Sequence, residues 1–329
     1  MSSQGFIRDT LASIDTMLHP ALTKSMSVEG TLVTSKAGDL FVYEDTRGEG
    51  DPVVLVHSVN AAASSYEMRP IFEALRGKHP VLAFDLPGFG RSERGPRTYD
   101  RALYRTAVLA MIERATSHKG ETAHVVGLSL GSEFAAAAAL ERPELVRSLA
   151  LLSPTGLGGR TSAIQRQAEE GRPERVLRAL QFPLIGAPLY RALVTRPSIR
   201  YFLAKSFAGP VDDGLARYAH VSGLQHGARH APLTFLSGSL FDPEILSQVY
   251  EKLSLPVLVL HDEDAYTDFS LLPSLLLRPN WAAERVAPTR GLPHFEQPER
   301  TLAALRAFWS PLDTEDARMD EAAKIQPGF

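Results

Sequence analysis

The chain has 329 residues, a formal net charge of −3, and 44% hydrophobic against 22% charged residues. That balance is globular, supplies enough apolar side chains for a sizeable core, and offers no bulk electrostatic attraction to nucleic acid. The absence of cysteine excludes disulfides and thiolate chemistry.

Phe6, Ile7, Leu11, Ile14 and Leu18 recur at helical spacing. They predict an N-terminal helical extension over residues 1–30, packed on the body. No basic segment leads into a continuous apolar run, as in a signal peptide, and no apolar run approaches the roughly 20 residues that span a bilayer. The expectation is a soluble, cytoplasmic protein without a membrane span, a monomer or homodimer.

TLVTS and LFVYED read as an opening pair of strands. PVVLVH follows as a valine-rich buried strand, then SSYEMRPIFEALRGK with helical spacing. PVLAFDL, AHVVGLS and VRSLALLSP are further strands, separated by the helices DRALYRTAVLAMIERAT and SEFAAAAALERP. Beyond a long interval come LPVLVLHD, a helical stretch, AERVAP, and a last helix from Pro298. Such alternation implies an α/β fold: a mostly parallel sheet covered on both faces, with its site at the carboxyl ends of the strands.

From 156 to 255 the rhythm breaks into helical fragments divided by prolines and glycines. A structureless loop of that length is implausible. The segment is expected to be a helical cap inserted into a core formed by residues 31–155 and 256–310. Residues 311–329, polar and largely acidic, are expected to form a flexible C-terminal tail.

One serine is singled out by its surroundings. In HVVGLSLGSEF, Ser129 lies between Gly127 and Gly131 where a strand gives way to a helix. A sharp turn there lifts the side chain off the sheet edge and needs small neighbours. Ser129 is therefore the candidate nucleophile, and a hydroxyl in that role needs a base. His294, in TRGLPHFEQPE, follows the last strand and precedes the last helix, which puts it at the same sheet edge. His57 and His261 also end strands; His57 reads as a buttress for its own loop, and His261 has no evident role. The base in turn needs a carboxylate to hold its tautomer. LVLHDEDAYTDF offers Asp262, Glu263, Asp264 and Asp268. Asp264 is the choice, with Asp262 or an acid on another strand as alternatives.

These motifs together resemble α/β-hydrolase-fold enzymes with a cap, over about residues 30–310. VVLVHSVNAAASSYEM resembles the family's strand and oxyanion loop. FDLPGFGRS resembles its D-x-x-G-x-G-x-S turn, GLSLG its nucleophile elbow, and PHFEQPE its histidine loop. The order nucleophile, acid, base is also that of α/β-hydrolases. The resemblance implies a Ser129–His294–Asp264 triad and an oxyanion hole made by the backbone N–H groups of Val59 and Leu130. There are two departures. Ser58 stands where the family carries glycine, and Ala265 where its acid turn carries aspartate. A serine nucleophile argues against dehalogenase and epoxide hydrolase chemistry, which in this family uses an aspartate.

The function expected is hydrolysis of an ester, thioester, lactone or activated C–C bond in a small, largely apolar acyl substrate. A non-catalytic binding protein on the same fold is the rival from another class, and the pairing of Ser129 with His294 argues against it. Acyl transfer or lyase chemistry from the same serine stays open. No metal-ligand cluster and no phosphate-binding loop is evident, so neither metal nor other cofactor is expected. Arg217, His220, His226, Arg229 and His230 read either as a carboxylate-binding group or as a solvated face. Phe182, Leu184, Tyr201, Phe202, Phe235 and Leu236 read as acyl-pocket lining or as packing between cap and body.

Overall fold

A computed structural model describes residues 20–117, 122–158 and 173–325. Eight strands follow in chain order: β1 Gly30–Ser35, β2 Gly38–Asp45, β3 Val53–Val56, β4 Val81–Phe84, β5 Ala123–Leu128, β6 Val146–Leu152, β7 Val257–Glu263 and β8 Trp281–Arg290. They form one sheet in the order β1-β2-β4-β3-β5-β6-β7-β8. β1 pairs antiparallel with β2, and β2 with β4; every other neighbouring pair is parallel.

The apolar runs are continuous because both faces of the sheet are covered. Val54, Val56, Val125, Leu149 and Val257 pack against α2 (Arg101–Ser117) and α3 (Leu130–Glu141) through Tyr104, Val108, Met111 and Phe134. The alternate residues Val53, Leu55, Val126, Ala150 and Leu258 meet Ile71 and Phe72 of α1 (Arg69–Leu75) and Leu305 and Trp309 of the last helix. Each fully buried Val, Leu or Phe contributes about 1.5–3 kcal/mol relative to exposure, so these two layers dominate the core. Ala135, Ala136, Ala138 and Ala139 are buried, and their small side chains let α3 lie close to the sheet.

The chain leaves β3 for β4 on one side and returns to β5 on the other. This makes the β3/β5 boundary a switch point, where a crevice opens beyond the carboxyl ends. Among the described residues between β6 and β7 are the α-helices α4 Pro173–Gln181, α5 Pro183–Leu193, α6 Arg196–Lys205, α7 Asp213–Gly223, α8 His230–Leu236 and α9 Ile245–Gln248. They pack on one another through Tyr190, Val194, Ile199, Ala219 and Leu233, with Ala62 of the body. Asp212 caps α7 by accepting the Leu215 N–H at 2.6 Å.

The short helices α10 Leu272–Leu275 and α11 Pro293–Glu296 lead to the last helix, α12 Pro298–Ile325. The expected tail is thus helical from 311 to 325: its Ala, Glu, Arg and Lys content favours helix, and Pro311 lies within α12 without ending it. The expected N-terminal helix lies outside the described residues as far as residue 19, and residues 20–29 are not helical.

Candidate active site

Ser129 joins β5 to α3 at φ 51° and ψ −123°. Among the described residues only Ser129 and Ser153 are non-glycine residues at positive φ, a conformation that costs on the order of 1–3 kcal/mol and persists only when its surroundings hold it. Here the Ser129 N–H donates to Leu152 O at 2.9 Å, and its carbonyl accepts the Ser132 N–H at 3.0 Å. The flanking glycines are required by collision. A Cβ on Gly131 would lie 2.2 Å from the His57 carbonyl oxygen, and one on Gly127 would lie 2.8 Å from Ser132 Cα.

The loop after β3 is held by a carboxylate. Glu67 accepts the Ser58 N–H at 2.9 Å on one oxygen and Asn60 Nδ2 at 2.8 Å on the other. Asn60 in turn accepts the Ala62 N–H at 2.8 Å. His57 Nε2 accepts the Leu86 N–H at 2.9 Å, so Nδ1 carries the proton and donates to Ser58 O at 2.5 Å. Burial lowers the His57 pKa. The FDLPGFGRS turn wraps around Asp85, which accepts Ser65 N–H at 2.8 Å, Ser65 Oγ–H at 2.7 Å and Arg91 N–H at 2.9 Å. His57 and this turn are both scaffolding.

A cavity of about 240 Å³ opens over Ser129. Ser58, Val59, Leu130 and Asp264 line it from the body, and Phe202, Leu203, Leu215, Phe235 and Leu236 line it from the helices between β6 and β7. Leu130 is the first residue of α3, so its N–H has no intrahelical acceptor. Of the six residues weighed for the acyl pocket, Phe202, Phe235 and Leu236 line the cavity. Phe182, Leu184 and Tyr201 face outward, 55%, 80% and 59% exposed.

Asp262 and Asp264 have separate fates. Asp262 accepts Arg285 Nε at 2.6 Å and the Thr289 N–H at 2.8 Å, so both its oxygens tie β7 to β8. Asp264 lies past the end of β7 against Gly291 and accepts the Tyr266 N–H at 2.7 Å. Burial pushes its pKa up to about 6, against the lowering effect of the Tyr266 and Thr267 N–H groups. His294 is buried and is not part of the cavity lining. Its Nε2–H donates to Glu67 O at 2.5 Å, while Nδ1 has no partner. Burial lowers its pKa to about 4. Among the described residues no hydrogen bond joins Ser129, His294 and Asp264, although Ser129 and Asp264 face the same cavity.

A family described as the alpha/beta hydrolase fold matches residues 51–266. The chain belongs to the α/β-hydrolase fold family.

Relatives of this α/β-hydrolase differ in what they are named for. A soluble epoxide hydrolase of Corynebacterium sp. (strain C12) is 25% identical over 309 residues, 87% of this chain and 100% of that protein. A 2-hydroxy-6-oxo-6-phenylhexa-2,4-dienoate hydrolase of Comamonas testosteroni is 29% identical over 167 residues, 50% of this chain and 54% of that protein. Several relatives 33–34% identical are matched over only 30–42% of their own length. Among solved structures, the CarC serine hydrolase involved in carbazole degradation superposes with a TM-score of 0.68 at 20% identity, covering 86% of this chain and 99% of that one; at that identity the likeness is one of fold.

Two carboxylates of this α/β-hydrolase escaped the sequence reading. Glu67 carries no motif of its own, but it pins both Ser58 and Asn60, and its main chain holds His294. Glu133, one turn after Ser129, is buried against the Thr155 hydroxyl and the Asp242 N–H at 3.1 Å. Burial raises its pKa to about 8, against the lowering effect of these two donors. A glutamate in an otherwise apolar helix start was the available signal for it. Among the described residues no group of three or more His, Cys, Asp or Glu is arranged to hold a metal ion, and no helix is long and apolar enough to cross a membrane.

Proposed function

We propose that this protein is a serine hydrolase acting on a small, largely apolar acyl substrate: an ester, thioester, lactone or activated C–C bond. The observation that carries the reading is the strained Ser129 at the floor of a cavity whose walls are mostly apolar.

In this reading Ser129 Oγ attacks the carbonyl carbon while its proton passes to His294. The N–H groups of Val59 and Leu130 stabilise the tetrahedral oxyanion. Collapse expels the leaving group, which takes the proton from His294, and water then repeats the sequence on the acyl-enzyme. Burial keeps His294 neutral, and so able to accept a proton, but weakens it as a base; pairing with the Asp264 carboxylate would raise its basicity towards the catalytic range. Its contact with the Glu67 carbonyl must give way for it to reach Ser129, and catalytic pairs often tighten only when substrate is bound. Asp264 is the orienting carboxylate, favoured over Asp262 because the oxygens of Asp262 are occupied by Arg285 and Thr289. The helices of residues 156–255 act as a cap that excludes water and selects the acyl group. Serine rather than aspartate at 129 separates this chemistry from that of the epoxide hydrolase relative.

A fluorophosphonate probe tests the reading. Wild-type protein should be labelled at Ser129, and folded Ser129→Ala should lose both labelling and ester hydrolysis. Near-wild-type turnover by folded Ser129→Ala would end it.

A further inference from the structure

Helices α4 to α6 carry an unusual surface. Over residues 173–205 there are six basic side chains (Arg175, Arg178, Arg191, Arg196, Arg200 and Lys205) and one acidic, Glu174; of the six, Arg200 pairs with Asp213 of α7 at 2.6 Å. That net +5 sits in a chain of net −3, so the remaining residues carry −8. The same stretch exposes Phe182, Leu184, Ile185, Leu189, Tyr201 and Phe202, with Leu184 80% accessible. Lys205 Nζ lies 4.6 Å from the centre of the Tyr201 ring and 5.8 Å from that of Phe202. Large apolar side chains set among cations are the composition of a helix face that lies in a lipid interface, where the apolar groups enter the acyl boundary and the cations stay at the headgroups.

The surface is also continuous with the cavity. Phe202 and Tyr266 are each 40% exposed, and both line the cavity over Ser129. The Tyr266 hydroxyl donates to Phe202 O at 3.2 Å, which ties this rim together. We propose that the α4–α6 face docks on an anionic lipid surface, from which an apolar acyl substrate enters the cavity past Phe202 and Tyr266. Charge complementarity selects this occupant over a second copy of the chain: a two-fold contact would bring the same cationic face against itself. The delivery of substrate rests on the hydrolase reading above; the docking does not.

Co-sedimentation of the full chain with vesicles tests it. Binding to phosphatidylcholine vesicles containing about one third phosphatidylglycerol should exceed binding to pure phosphatidylcholine at least about tenfold, and should weaken steeply as salt rises to about 0.5 M. The Leu184→Asp/Ile185→Asp variant should lose about tenfold in vesicle binding, with unchanged circular dichroism and unchanged hydrolysis of dissolved p-nitrophenyl acetate. Arg178→Glu/Arg191→Glu should lose the preference for anionic vesicles. The same binding by Ser129→Ala keeps the docking test separate from any failure of the hydrolase reading. Absence of binding to either vesicle, or binding indifferent to both surface variants, overturns the proposal. So does a dimer in light scattering that Leu184→Asp/Ile185→Asp dissociates, since a second copy would then cover this face.

Discussion

Replacing Gly131 by alanine places a methyl carbon 2.2 Å from the His57 carbonyl oxygen and 3.0 Å from its carbonyl carbon. An ordinary contact there exceeds about 3.2 Å, so the start of α3 and the end of β3 must separate by about 1 Å. Gly131 is helical, with backbone angles that alanine adopts freely, so the effect is the collision alone. Helix propensity favours the alanine by up to about 1 kcal/mol, and overpacking costs about 1–3 kcal/mol. With the full propensity gain the expected net loss is therefore about 0–2 kcal/mol of stability. The consequence for rate is larger. Leu130 precedes Gly131 directly, and Val59 lies two residues beyond His57, so the displaced surfaces carry the two proposed oxyanion donors. A 1 Å misplacement of such groups costs about 100-fold, comparable to losing one donor. The assay is kcat/KM for p-nitrophenyl acetate beside urea denaturation. A folded Gly131→Ala protein within threefold of wild type would refute the argument that this glycine sets the distance between the two donors.

Titration supplies two further tests. The folded pKa of His294, about 4, lies below its usual 6.5. The unfolded chain therefore binds the proton first, and the stability His294 contributes is complete above pH 6.5 and is lost as pH falls towards 4, by about 3 kcal/mol in all. Denaturation at pH 7, 6 and 5 should show the advantage of wild type over His294→Gln shrinking on acidification; a constant difference would contradict a buried neutral ring. Asp264, pushed up to about 6, ionises as pH rises through that value, so kcat/KM should rise with it. Asp264→Asn should abolish this limb and lower kcat strongly by favouring the wrong histidine tautomer. Asp262→Asn should lower stability, through its lost Arg285 pairing, far more than rate; the reverse ranking would move the acid role to Asp262.

What the sequence determined by itself was local. Valine-rich runs alternating with helical spacing specify a parallel sheet because strands covered on both faces need no polar alternation. Gly127 and Ser129 mark the elbow because the strain at Ser129 and the approach of Ser132 to Gly127 arise within a few residues, whereas the need for glycine at 131 comes from the His57 carbonyl on another strand. The helical content of residues 173–248 was legible from periodicity in the same way.

The tertiary structure decided the partners. Asp262 and Asp264 are two residues apart and indistinguishable by pattern; β8 distinguishes them, bringing Arg285 and Thr289 to the first and leaving the second beside the cavity. His294 takes its low pKa from burial and its orientation from Glu67, 227 positions away in the chain. Glu133 has its pKa pushed up by burial, against the lowering effect of the Thr155 hydroxyl and the Asp242 N–H that only the fold brings to it. Phe182 and Phe202 are both aromatic residues of helical fragments, yet only the second reaches the cavity. Hydrogen-bond geometry and desolvation depend on which distant segments meet, and periodicity along the chain holds no record of those meetings.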